Sequence, residues 1–321
     1  MAVQQAKERI DYIDTAKAIG ITLVVLRHSG ISVFVFLHMP LFFIISGMFF
    51  KEGRAFAGFI KNKINKLLIP WGFFYILGCL AFYAVSVLRP ELKENYFGLV
   101  DVFVQYTAFN YPIWYLLCLF WVFLLYFVIT KIPSQLIRWL VVIVLSTCGC
   151  LLGKQQIFLP CYFDIALTSL LFFHIGYVLN TKTKVFLNHR SVQYDILIVL
   201  ALVIITTIGY YSFSPKIHLA TNLIDPLSYV VATTGALALI LASKFIKNWK
   251  WLSYIGRHSL IILCWHSFFI RLSEIMFNQF SINNYIHKWG VFCCVMCLSI
   301  VMIPISLKLI PWFVGKTDII K

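Results

Sequence analysis

The chain has 321 residues, of which 61% are hydrophobic and only 12% charged, with a mean hydropathy of +0.88 and a formal net charge of +15. A soluble globular domain carries about a quarter charged residues, so this composition excludes one and indicates a polytopic membrane protein. The positive charge does not indicate nucleic acid, because the lysines and arginines are parcelled into short segments between apolar runs and not gathered on one face.

Ten apolar stretches long enough to cross a bilayer, or nearly so, are predicted near residues 16–31, 33–50, 65–88, 113–130, 136–153, 160–179, 194–213, 224–243, 258–278 and 289–313. With a cytoplasmic N-terminus, eighteen lysines and arginines fall in the inner segments, and only Arg89, Lys93, Lys154, Lys216 and Lys288 fall outside. That asymmetry places both termini in the cytoplasm. The expected fold is an all-α transmembrane bundle forming one domain over residues 1–321. No cleavable signal is expected, since the first apolar run begins near Ala16 and carries Lys17 and His28. The nine cysteines lie almost all within apolar runs and read as small buried hydrophobes. Cys294 and Cys297 have CxxC spacing but lack a second pair or a nearby histidine, so no metal site is expected.

The first span carries the strongest signal. An ionisable side chain inside a membrane is costly enough that function is the default reading. Lys17 and His28 are eleven residues apart, about three helical turns, which puts them on one face roughly 16 Å apart along the axis. Asp14 lies one turn before Lys17 on nearly the same stripe. The helix thus has a charged mouth and a deep imidazole. Arg27, a quarter turn away, is expected to snorkel outward.

A very short turn at Ser29 to Ser32 leads into the second span, where His38 either faces the same cavity as His28 or packs against a carbonyl. MPLFFIISG after it is ordinary span sequence apart from a kink expected at Pro40. KNKINKLLIPW then sets Lys61, Lys63 and Lys66 beside the inner entrance. They serve either positive-inside topology or, as point charges, the phosphates of an anionic cofactor. No Walker or dinucleotide glycine pattern is present, so a nucleoside-triphosphate site has no support.

Further on, Asp164, Asp225 and Glu274 fall near the outer ends of their spans, together with Trp114 and Tyr115. Carboxylates that accept from hydroxyls and aromatic faces that cover apolar ring surface suit a sugar; interfacial anchoring is the plainer alternative. The ninth span opens with IGRHSLIILCWHS, which puts Arg257 and His258 at the inner surface and His266 about two turns deeper, a second candidate for the cavity. His174, among LLFFHIGY, reads as structural.

Taken in order, these pieces resemble the integral-membrane acyltransferase family 3, particularly its smaller O-acetyltransferase members of the fucose 4-O-acetylase type, over essentially the whole length. The family's basic residue, ten residues, then histidine looks like Lys17 and His28, with Lys for the commoner Arg. HMPLFFIISG looks like its second span. Lys63 and Lys66 before LLIPW resemble its paired-arginine motif, and IWYL at 113–116, FDIAL, FFHIGY and IGRHSLIILCWH complete the likeness.

The resemblance implies acetyl-CoA or a related acyl-CoA as donor on the cytoplasmic side, held by Lys17, Lys63 and Lys66. The implied acceptor is a surface-polysaccharide hydroxyl or its lipid-linked precursor, contacted by His38, Trp114, Asp164, His266 and Glu274. His28, aided by Lys17, is then the expected catalytic base, in the inner or plasma membrane of a bacterium. Direct transfer and an acyl-enzyme relay through a histidine, Ser29 or Ser267 both remain open. No appended extracytoplasmic transfer domain is expected, so the acceptor comes to the membrane domain itself. A transporter or flippase for a glycan or small solute is the rival class, although the acids cluster at outer ends and not at the midplane that ion coupling favours.

Overall fold

A computed structural model describes residues 11–88, 110–182, 191–213, 217–246, 249–277 and 283–320. Several charges that set the orientation lie outside these residues: Lys7, Arg9, Arg89, Lys93, Lys184, Arg190, Lys216, Lys247 and Lys321, along with most of the outer loop before Pro112.

The described chain is almost entirely helical, as backbone amides without water to bond must be satisfied within their own segment. The helices are α1 (Asp11–His28), α2 (His38–Met48), α3 (Phe56–Lys63), α4 (Ile69–Leu88), α5 (Trp114–Ile129), α6 (Gln135–Lys154), α7 (Phe163–Lys182), α8 (Val192–Phe213), α9 (Pro226–Ala242), α10 (Lys250–Arg257), α11 (Ser259–Phe277) and α12 (Asn284–Leu309). A π-helical turn, Ile64–Leu68, joins α3 to α4. Each of the ten predicted stretches overlaps one of these helices over most of its length. Seven of the resulting segments meet a membrane span in length and composition. The exceptions are α1, which carries Asp11, Asp14, Lys17 and Arg27, and the shorter α2 and α9.

The second stretch departs most from expectation. Helix α2 begins at His38, not near 33, and its 11 residues rise only about 16 Å, half the hydrocarbon thickness. Pro40 therefore sits in the first turn, where its missing N–H leaves no bond unmade, and the expected kink is absent. Residues 29–37 run as turns, with positive φ at Gly30 (82°) and Phe34 (48°).

Helix α2 packs closely on α7 through reciprocal glycines. A Cβ at Gly47 would meet the Phe173 carbonyl, and one at Gly176 would meet that of Ile44. Small residues let backbones approach where the hydrophobic effect gives no drive. Helices α1, α2, α5 and α7 supply much of the buried core, whereas α8 turns residues such as Leu200, Ile204 and Tyr211 outward, suiting contact with lipid. Between α8 and α9 the only sheet among the described residues is a two-residue pairing, Ile217–His218 against Leu223–Ile224.

At the basic end, α10 lies against the start of α1, and Gly256 leaves no room for a Cβ beside the Asp14 carbonyl. The C-terminal segment folds back onto the π-helical turn at this same end. Asn65 accepts from the amides of Ile319 and Ile320 at 2.9 Å each and donates to the Ile320 carbonyl.

Candidate active site

Helix α1 presents Lys17, Ile21, Val24 and His28 to cavity space, at intervals of four, three and four that keep them on one face. Helix α11 does the same with Leu260, Leu263, Ser267, Ile270 and Glu274. Both helices run from the basic end outward. Arg257, the last residue of α10 and just before α11, reaches Asp14, and the His266 ring lies 5.3 Å from that of His28 near the other end.

The inner cavity, of about 230 Å³, is walled by Ile21, Met39, Phe42, Leu116 and Leu119, with Lys17, Ser46, Tyr115, Arg257 and Ser259 as its polar groups. Asp14 organises the mouth: one carboxylate oxygen lies 3.5 Å from Lys17 Nζ and the other 3.9 Å from Arg257 Nε. The carboxylate offsets two cations that would otherwise repel each other, and the aliphatic stem of Lys17 brings its ammonium 5.5 Å from the Phe49 ring centre.

The outer cavity, of about 370 Å³, is lined by Arg27, His28, His38, Tyr111, Trp114 and His218 among others. A side chamber of about 260 Å³ shares His28, Tyr111 and Pro112 with it and adds Ser267, Ile270, Arg271 and Glu274. Inner and outer cavities have three lining residues in common, Val24, Met39 and Leu263. These side chains form the partition between the two ends, one helical turn below His28.

The imidazoles are in different states of restraint. His28 is exposed and makes no hydrogen bond to a described residue. His266 is fully buried, with Nδ1 2.8 Å from the Leu263 carbonyl and 3.1 Å from that of Ile262. A carbonyl only accepts, so Nδ1 carries the hydrogen and Nε2 keeps a bare lone pair with no partner among the described residues. His38 is buried and its Nδ1 is likewise unpartnered. His218, on the short outer turn, is bonded through Nδ1 to Thr221 Oγ1 at 2.9 Å; burial, reinforced by Arg27, holds its pKa below the ordinary value.

The sequence-derived candidates divide. Lys17, His28, His38, Trp114 and Glu274 line the cavities, and His266 lies behind His28 with its ring tilted 54° to it. Three others do not line them. Asp164 is fully buried, accepting from Asn222 Nδ2 at 3.0 Å and from the Leu159 amide. Asn222 has left-handed φ and also accepts from Thr168 and donates to the Gly149 carbonyl, so the aspartate helps anchor the outer turn that delivers His218, Leu219 and Ala220. Lys63 seats its ammonium 3.1 Å from the centre of the Phe123 ring. Lys66 pairs with Asp318 and donates to the Gly315 carbonyl, both at 2.9 Å. Tyr115, expected with Trp114 at the outer end, instead faces the inner cavity, 3.4 Å from Ser46 Oγ. His174 is a packing residue bonded to the Tyr126 hydroxyl at 2.7 Å.

Sequence reasoning missed the site positions of Arg257, His218, Tyr111 and Arg271. Arg271 carried a usable signal, because an arginine inside an apolar helix falls under the same rule that marked His28. His218 sits in a loop of ordinary composition and carried none. Among the described residues no group of side chains could hold a metal ion. Neither the curated proteins nor the solved structures contain a match to this chain. The family model for the acyltransferase domain of the acyltransferase 3 type matches residues 10–307. With that match over nearly its whole length and a helical bundle built for lipid, the chain belongs to the acyltransferase 3 family and is a multi-pass membrane acyltransferase.

Proposed function

We propose that the protein moves an acetyl or related acyl group from acyl-CoA, entering at the basic cytoplasmic end, to a hydroxyl of a cell-surface polysaccharide or its lipid-linked sugar precursor at the opposite end. The observation that carries this reading is the pair of cavities that share Val24, Met39 and Leu263 among their described lining residues, with Lys17 and Arg257 at one mouth and imidazoles beyond the partition. The donor fits that asymmetry. Its phosphates suit Lys17 and Arg257, and its long, mostly uncharged pantetheine arm suits the apolar passage leading toward His28.

In this mechanism His28 takes the proton of the acceptor hydroxyl as that oxygen bonds to the acyl carbon. The acyl–sulfur bond breaks, and the proton passes from His28 to the departing sulfur, which leaves as a thiol. His28 must be neutral to begin, since only an imidazole with a bare ring nitrogen can accept a proton. His266 backs the ring of His28, with the ring centres 5.3 Å apart. Trp114 covers a sugar face, and the polar groups of the outer chambers hold its other hydroxyls.

The test is His28→Ala in purified, monodisperse protein, following thiol release together with acylated glycan by mass spectrometry. Loss of a positioned base should lower kcat by about a hundred- to ten-thousandfold and leave acyl-CoA binding intact. Wild-type turnover would remove His28 and transfer the role to His266.

A further inference from the structure

The side chamber has a chemistry of its own. A base for the hydroxyl and an aromatic cover for the ring are already present in the larger cavity, yet His28 also faces a second space containing Arg271, Glu274 and Ser267. Arg271 and Glu274 are one turn apart on α11, exposed, and interact electrostatically. An arginine in an apolar helix is costly to keep, and here it lines the same chamber as the proposed base. Among the described residues the surrounding charge is unbalanced: Arg27 lines the larger cavity and the Lys288 side chain lies against Gly30 in its wall, whereas Glu274 is the one carboxylate among the described lining residues of the two spaces. Such a vestibule attracts anions.

We propose that the side chamber is an anion subsite of the acceptor: the saccharide acylated at His28 carries a phosphate or carboxylate group, which Arg271 holds. The inference rests on the reading of the outer cavities as a glycan site. A planar guanidinium binds phosphate and carboxylate through two parallel hydrogen bonds. Ser267 and Glu274 flank it with a hydroxyl and an acceptor for sugar hydroxyls, so the anion is recognised as part of a carbohydrate. With His28 on the wall shared by both spaces, the charged group and the reacting hydroxyl sit on opposite sides of one imidazole.

The experiment measures binding of glucose 1-phosphate, glucuronate, glucose and inorganic phosphate to the purified full chain in lipid nanodiscs. At least one anionic sugar should bind on the order of tenfold tighter than glucose, and more tightly than inorganic phosphate. Which of the two does so identifies the anionic group. Arg271→Gln should abolish that preference and Arg271→Lys restore part of it, which separates charge recognition from a folding defect. Equal binding of charged and neutral sugars, a preference that survives Arg271→Gln, or inorganic phosphate binding as tightly as either sugar would each overturn the proposal. Anion preference that depends on Arg271 in a protein that acylates no glycan would leave the subsite standing and sink the proposed function instead.

Discussion

The inner and outer cavities share three side chains and are otherwise built differently. The inner one is walled mostly by regular helix, and its two cations are drawn to a single carboxylate, Asp14. The outer one takes part of its wall from irregular backbone, residues 29–37 and the turn at Ile217–Ile224, with left-handed φ at Gly30, Phe34 and Asn222. Non-helical backbone at membrane depth is tolerated where it lines a cavity or is buried in protein, and strained conformations persist only where their surroundings over-determine them. Here those surroundings include the Asp164, Asn222 and Thr168 side chains and the bond from the Tyr111 hydroxyl to the Ala220 carbonyl. The contrast separates the tasks: a regular, apolar passage with a net-positive mouth suits holding an anionic donor, and an irregular vestibule beside ring nitrogens that have no partner among the described residues suits proton transfer and recognition of a varied acceptor.

The sharpest way to break this division is at the partition. Val24→Phe would fill the space between the cavities, and a reacting group displaced by about an ångström costs on the order of a hundredfold in rate. Single-turnover transfer should collapse while acyl-CoA binding, measured directly, stays within a few-fold of wild type. Normal transfer would mean that the donor reaches His28 by another route.

The next largest effect is expected at the inner mouth. Neutralising Lys17 and Arg257 together should weaken acyl-CoA binding roughly tenfold, the scale of a lost charge-assisted hydrogen bond, with the gap between variant and wild type closing as salt screens the attraction. Lys63→Gln serves as the contrast. Its ammonium lies on Phe123 and away from the cavity lining, so donor affinity should not move.

Asp164→Ala sharpens the comparison from the other side. Loss of the acceptor for Asn222 should cost about 1–3 kcal/mol of stability, read as a lower Tm, and should raise the acceptor KM as the outer turn loosens while the donor Kd stays fixed. A change in donor binding would show that the two cavities are not independent. The smallest effect belongs to Lys66→Ala. Its pair with Asp318 is partly exposed and worth about 0–1 kcal/mol, so stability and donor affinity should both stay near wild type.

Helix positions and the membrane class were legible because apolar length and periodicity are local properties. Lys17 and His28 were legible for the same reason: eleven residues of helix fix a shared face without reference to any neighbour. The start of α2 was not, since the apolar run from Val33 to Leu37 reads like span sequence, whereas in the fold it runs as turns with Phe36 and Leu37 packed beside Gly235 of α9. Asp164 shows the limit most clearly. Its place at the outer end of a span suited a sugar ligand equally well, until Asn222, fifty-eight residues later, came to lie against it.

What the sequence by itself determined is therefore the membrane bundle, the family and the stripe from Lys17 to His28, all set by chemistry within single helices. The tertiary structure alone decided which groups share a cavity. It placed Arg257 beside Asp14, His266 against His28, and Arg271 in a chamber reaching the same imidazole, and it turned Lys63 and Lys66 onto Phe123 and Asp318. Those pairings join residues up to about 250 positions apart, and side-chain partners at such separations are fixed by how helices pack, which no local pattern encodes.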